Sequence, residues 1–259
     1  MAGRRGVSSG GVGITEAGPL GVSVSGLARG ERWILVGSAL GVSALAWIVL
    51  STGGVMGSPS IVTATVVWLL MMVAMMMPAT LPWLVAMGAL SKAPSGRGSL
   101  PGASVGLFSA GYFATWVAFA VVGAGLQIGL RGAGLLGSEL ALAAPLGGLA
   151  LAAAGLYQMS AVKAACLRHC RNPMGFFLAR WRDGPVGALG MGVSHGAYCL
   201  GCCWALMLLG FVLGLMNLVW MAVLTVVVCI ENLAPRGPAV SRALGVGLVV
   251  LGALVVIAG

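Results

Sequence analysis

His195, Cys199, Cys202 and Cys203 lie together in the stretch His-Gly-Ala-Tyr-Cys-Leu-Gly-Cys-Cys-Trp, which holds one of the 2 histidines and three of the 6 cysteines in the chain. On a straight helix advancing about 100° per residue, with His195 at 0°, Met191 falls near −40°, Cys199 near +40°, Cys202 near −20° and Cys203 near +80°, an arc of roughly 120°. His195/Cys199 and Cys199/Cys203 are i, i+4 neighbours, so their side chains can meet. The axial rise from His195 to Cys202 is about 10 Å. One ion therefore cannot take the whole set, and a pair from this helix needs ligands from elsewhere. Thiolate and imidazole donors suit a soft transition metal, and paired thiols also suit disulfide exchange. Packing is the competing reading, because free cysteine behaves as a small buried hydrophobe. Three cysteines within five residues, one turn after a histidine, favour chemistry.

Three further clusters follow the same logic. Met71, Met72, Met75, Met76 and Met77 precede Pro78, with i, i+4 pairs at Met71/Met75 and Met72/Met76. Thioether sulfur suits Cu(I); methionine also fills irregular gaps, and taken alone that reading is the stronger. Pro78 lacks an N–H and leaves the Ala74 carbonyl without its helical partner, so a kink or break is expected at Pro78 and Pro82. In Cys166-Leu-Arg-His169-Cys170 the three candidate ligands share one face at i, i+3 and i, i+4, and Lys163, Arg168 and Arg171 are expected to favour thiolate there. Interfacial cysteines among anchoring charges are the alternative. In Cys229-Ile230-Glu231 a carboxylate beside hydrocarbon needs a partner: Arg236, Lys163 or a bound cation. The candidate metal ligands are thus His195, Cys199, Cys202, Cys203, Met72, Met76, Cys166, His169, Cys170 and Glu231.

The elements that must position these residues are apolar helices. The 259 residues are 59% hydrophobic and 7% charged, with a mean hydropathy of +1.06; soluble domains carry about 25% charged residues. The expectation is an all-α, polytopic transmembrane helical bundle of about seven spans in the bacterial inner (plasma) membrane. The spans are placed at 33–50, 61–90, 103–130, 140–161, 185–213, 215–233 and from 241 to the end. Residues 1–30 read as a disordered Gly/Ser-rich basic tail, and 31–259 as one transmembrane domain. The basic connection 163–184, studded with Phe176, Phe177, Leu178 and Trp181, reads as an interfacial amphipathic helix. With the N-terminus inside, all of the 14 Lys and Arg residues except Arg131 fall on the inner side. The net charge of +9 is therefore topology rather than a nucleic-acid patch. Cysteines in or beside spans do not form a disulfide framework. No hydrolytic triad, phosphate loop or pair of catalytic carboxylates is present, so no catalytic residue is assigned and an enzyme is the less favoured reading.

These motifs resemble a bacterial family of predicted metal-binding integral membrane proteins, a domain of unknown function. The resemblance rests on Met71-Met72-Val-Ala-Met75-Met76-Met77-Pro78, on Tyr157-Gln158, Lys163, Cys166 to Arg171, Pro173 and Phe176, and on His195 to Met207. Gly214, Met216, Trp220-Met221 and Glu231 complete it. It covers about Trp33 to Gly259. One departure is Asn232, where lysine is expected after the glutamate. The resemblance implies a membrane protein that binds metal, without an assigned reaction. Residues and resemblance together give a leading expectation: a protein holding a soft metal, copper before zinc or another transition metal, for handling, delivery or transport, with a metal-receiving protein as partner. A membrane thiol–disulfide oxidoreductase using Cys199-Leu-Gly-Cys202 and a non-catalytic assembly or scaffold subunit are the alternatives.

Overall fold

Long apolar runs punctuated by Gly, Pro and Ser become helices throughout the described chain. The computed structural model describes residues 27–52, 60–91, 101–137, 142–214 and 217–258. Most of the expected tail, together with Lys92, Arg97 and Met216, lies outside the described residues. The helices are α1 (Arg29–Ser51), α2 (Ile61–Ser91), α3 (Pro101–Gly132), α4 (Ala144–Gln158), α5 (Ala161–Cys170), α6 (Pro173–Arg180), α7 (Gly184–Leu208), α8 (Gly210–Leu213), α9 (Leu218–Leu233) and α10 (Gly237–Ala258). Local signals set several starts. Proline occupies the first turn of α4, α6 and α7, where its missing N–H costs nothing. The Asn172 side chain caps α6 by accepting from Gly175 N, and Asn217 caps α9 by accepting from Val219 N and Trp220 N.

Among the described residues, five helical stretches are long and apolar enough to cross a membrane: Arg29–Ser51, Ile61–Ser91, Ala103–Gly132, Gly184–Leu213 and Gly237–Ala258. The other two of the seven expected spans take a different form. The stretch expected to cross at 140–161 ends at Gln158, and α5 departs from the axis of α4 by 63°. The cause is local: Ser160 starts a new helix by accepting from Lys163 N at 3.1 Å. If the bent pair counts as one crossing, the number becomes 6. The 16 residues of α9 rise about 24 Å, short of the roughly 30 Å hydrocarbon thickness. Within 163–184 the structure places the end of α5 and all of α6, which buries Phe176 and Phe177 and exposes Leu178, Ala179 and Arg180.

Helix α2 runs through Pro78 and Pro82 without a break. The carbonyl that Pro78 frees is satisfied from outside: the Ser43 hydroxyl of α1 donates to Ala74 O at 2.7 Å, in a buried position. Glycines set the close pairs. A Cβ on Gly155 of α4 would lie 2.6 Å from Gly245 O of α10, and one on Gly148 would lie 2.8 Å from Gly252 O, so these helices meet backbone to backbone. Gly196 does the same for α7 and α3, where a Cβ would sit 2.7 Å from Thr115 Oγ1. That approach puts the aromatic face of α3 against the histidine and cysteines of α7.

The core divides in two. One cluster gathers Met71, Met72, Met75 and Met76 of α2, Tyr112 and Trp116 of α3, and the cysteines of α5 and α7. The other gathers Trp83, Phe108, Phe176, Phe177 and Met191. Outer faces stay apolar: Trp33, Ile34, Leu45 and Ile48 of α1 and Val246, Val250, Leu254 and Ile257 of α10 are exposed. Only 17% of the apolar window of α10 is buried inside the fold, which is the pattern of a helix facing an apolar surround.

Candidate metal centre

Helices α5 and α7 pack so that their ligand-bearing residues pair in opposite order along the two chains. Cys166 sits against Gly201, where a Cβ would come within 2.8 Å of its sulfur, and His169 stacks on Tyr198 with centroids 4.3 Å apart. Between these contacts Cys170 turns inward. Its sulfur, with those of Cys199 and Cys202, forms a group whose members all lie within 4.8 Å of one another. All three residues are buried, and all six cysteines of the chain are free thiols. A zinc–thiolate bond of about 2.3 Å, taken as the scale for a soft metal, puts the sulfurs of a trigonal site about 4.0 Å apart. The upper bound of 4.8 Å on the observed spacing is within about 1 Å of that value.

The surroundings hold this group in place and keep it dry. Trp83 Nε1 donates to Cys170 O at 2.9 Å and so satisfies a carbonyl in the last turn of α5. The Tyr112 hydroxyl and the Cys199 sulfur are 3.3 Å apart. Cys202 and Cys203 direct their thiols to Cys199 O at 3.1 and 2.9 Å. On the α2 side, the sulfurs of Cys203 and Met76 are 3.9 Å apart. The methionine helix and the cysteine helix touch through this contact. Met72 is buried in the same core.

His195 is enclosed by rings. Its imidazole stacks on Trp83 at 3.6 Å and 19°, and on Tyr112 at 5.2 Å. It is 2% exposed, and neither ring nitrogen has a hydrogen-bond partner. A buried polar atom without a partner costs about 1–3 kcal/mol, and such atoms are uncommon enough to require a reason. The imidazole lies one helical turn before Cys199, outside the mutual group of three sulfurs.

One expected partner is found: Lys163 Nζ donates to Glu231 Oε2 at 2.7 Å and Gln158 Nε2 to its Oε1 at 2.9 Å. Two expectations take a different form. Cys166, His169 and Cys170 do not share one environment: Cys170 is buried, Cys166 half-buried and His169 exposed. Lys163 and Arg171, expected to favour thiolates nearby, point away from them. Lys163 also donates to Gln158, and Arg171 donates to Glu231 O and Pro235 O. Sequence reasoning missed Trp83 and Tyr112. Phe108, Tyr112 and Trp116 form an i, i+4 aromatic stripe on α3, a signal that could have marked Tyr112; nothing in the pattern around Trp83 singles it out.

The fold and the site define an all-helical protein with a buried soft-donor cluster suited to metal handling. A family model described as a copper chaperone, PpoB2, matches residues 65–255, and the chain belongs to that family. This agrees with the resemblance to a metal-binding family. No curated protein and no solved structure matches the chain.

Proposed function

We propose that the protein is a multi-pass membrane protein that takes Cu(I) as cargo between Cys170, Cys199 and Cys202 and passes it to a partner protein. The observation that carries this reading is the convergence of three buried thiols from two helices. Trigonal thiolate coordination suits Cu(I), and the adjoining thioether of Met76 and thiol of Cys203 are soft donors of the same kind. His195, with both nitrogens unpartnered, is the nearest nitrogen donor along α7. Five apolar stretches of crossing length support a membrane location. Read on the seven expected spans, the distribution of Lys and Arg supports a plasma-membrane protein with its N-terminus inside. Metal binding displaces thiol protons, so loading is coupled to proton release.

The test is elemental analysis of detergent-purified protein reconstituted anaerobically with Cu(I), wild type against a Cys170/Cys199/Cys202→Ser triple variant. Near-stoichiometric copper in the wild type and none in the variant is the expected result, with copper–sulfur scattering in the X-ray absorption spectrum. A wild type that holds no copper, but forms a Cys199–Cys202 disulfide that cycles with redox poise, would replace this reading with thiol–disulfide exchange.

A further inference from the structure

His169 differs from every other candidate ligand in being exposed and oriented at once. Its Nδ1 lies 3.0 Å from Ala165 O. A carbonyl only accepts, so Nδ1 carries the proton, and in the neutral ring Nε2 keeps its lone pair. Metal-binding histidines commonly fix their tautomer by such a bond to a backbone carbonyl. The ring is also fixed flat: it lies parallel to Tyr198 at 1°, and the Arg180 guanidinium reaches the same Tyr198 ring at 5.8 Å. The imidazole lines an open groove of about 310 Å³ with Arg168, Asn172, Phe176 and Arg180. Behind it, at the next residue of α5, Cys170 enters the thiol cluster. An ordered nitrogen donor at the surface thus adjoins in sequence a sulfur that is 7% exposed.

We propose that His169 is the exchange ligand through which Cu(I) passes between a thiol-bearing donor or acceptor in this groove and Cys170. This rests on the copper-cargo reading above. The exchange is associative. Nε2 of His169 binds the arriving Cu(I) while one donor sulfur leaves; Cys170 Sγ then displaces Nε2, Cys199 Sγ displaces the remaining donor sulfur, and each departing donor thiolate takes up the proton that one of these cysteines loses. Copper stays Cu(I) throughout, one copper–ligand bond forms for each that breaks, and no oxidant is needed. The buried sulfurs set how tightly copper is held, and His169 sets how fast it moves.

The experiment follows Cu(I) uptake from Cu(I)–glutathione and removal by bicinchoninate, by anaerobic stopped-flow on the full-length protein in detergent. His169→Phe keeps a ring to stack on Tyr198 and removes the lone pair; it should slow both directions by about tenfold, the size of effect seen when a metal site loses one supporting group. Copper content at equilibrium should stay at the wild-type value. His169→Met, which restores a soft donor without the ring, should recover most of the rate. A Phe variant that exchanges as fast as wild type would overturn the inference and leave the copper reading standing. So would a Phe variant that loses copper content in proportion to rate, which would make His169 a holding ligand, or a Met variant that stays slow, which would make its role one of packing. A wild type that holds no Cu(I) would bring down both readings.

Discussion

Two buried polar groups meet at opposite ends of α5 and are built on opposite principles. At its start Lys163, Gln158 and Glu231 are 0, 3 and 1% exposed, and they are bonded to one another. At its end Cys170 joins Cys199 and Cys202, with the unpartnered nitrogens of His195 one turn before Cys199 on α7. The first network is closed: both carboxylate oxygens of Glu231 are occupied, and its backbone carbonyl accepts from Arg171 at 2.6 Å. The second is left open. A closed network fixes where helices sit, and buried ion pairs are best understood as setting register rather than adding stability. An open one carries a standing desolvation cost. The anchor ties α5 to α9; the open site faces α7. Bending the chain at Ser160 is what lets one short helix serve both.

The comparison breaks first at the anchor, where the largest effect is expected. Glu231→Gln leaves the Lys163 charge buried without its partner. Removing one member of a buried pair costs about 3–5 kcal/mol, read as a lowered unfolding midpoint in detergent. A Lys163→Met, Glu231→Gln double variant should recover most of that loss, because the stranded charge is gone. If the double variant is as unstable as the single, the pair contributes attraction that this account does not give it.

The second change sharpens the contrast. His195→Phe keeps a ring of similar size against Trp83 and deletes both unpartnered nitrogens. The apo protein should be as stable as wild type or more so, and Cu(I) affinity should fall by about 10–100-fold, as when a supporting group of a metal site is lost. Glu231 and His195 substitutions therefore act in opposite columns, one on folding and one on copper. Competition titration with a Cu(I) chelator beside a thermal melt separates them. A His195→Phe protein that melts early yet binds copper normally would make the histidine a packing residue.

The sequence was most legible where one helix suffices. The expected stretches at 61–90, 103–130 and 185–213 correspond to α2, α3 and α7 with α8, because apolar periodicity and terminal Pro or Gly act locally. The facing of His195, Cys199, Cys202 and Cys203 was also legible, being a property of one helix. The break after Gln158 was not, although Ser160 is a capping residue type: the apolar run continues across it through Ala161 and Val162, and hydropathy outweighs one hydroxyl in a sequence reading. Without that bend, Cys170 appears to end a span instead of folding back on α7. Its union with Cys199 and Cys202 depends on a pairing 29 and 32 residues away, which no periodicity encodes. Lys163 was named as a partner for Glu231 on charge alone, since a buried carboxylate with few cations in reach has few solutions. Trp83 was invisible because its role depends on two other helices.

Met76 gives the smallest expected effect and the finest distinction. Methionine fills gaps and also binds Cu(I), and the sequence favoured the first role. The structure puts Met76 at 0% exposure with its sulfur 3.9 Å from that of Cys203, a contact that serves either role. Met76→Leu conserves volume, and swaps of this kind usually cost less than about 1.5 kcal/mol. Stability should therefore barely move. If the thioether is a donor, Cu(I) affinity falls by less than for His195→Phe, and the sulfur contribution to the X-ray absorption spectrum diminishes while the thiolate shell persists. If the sulfur only packs, affinity and spectrum both stay at wild type, and the soft site narrows to the cysteines of α5 and α7. The same substitution at Met72, buried in the same core, is the internal control: it shares the packing change and should leave copper alone.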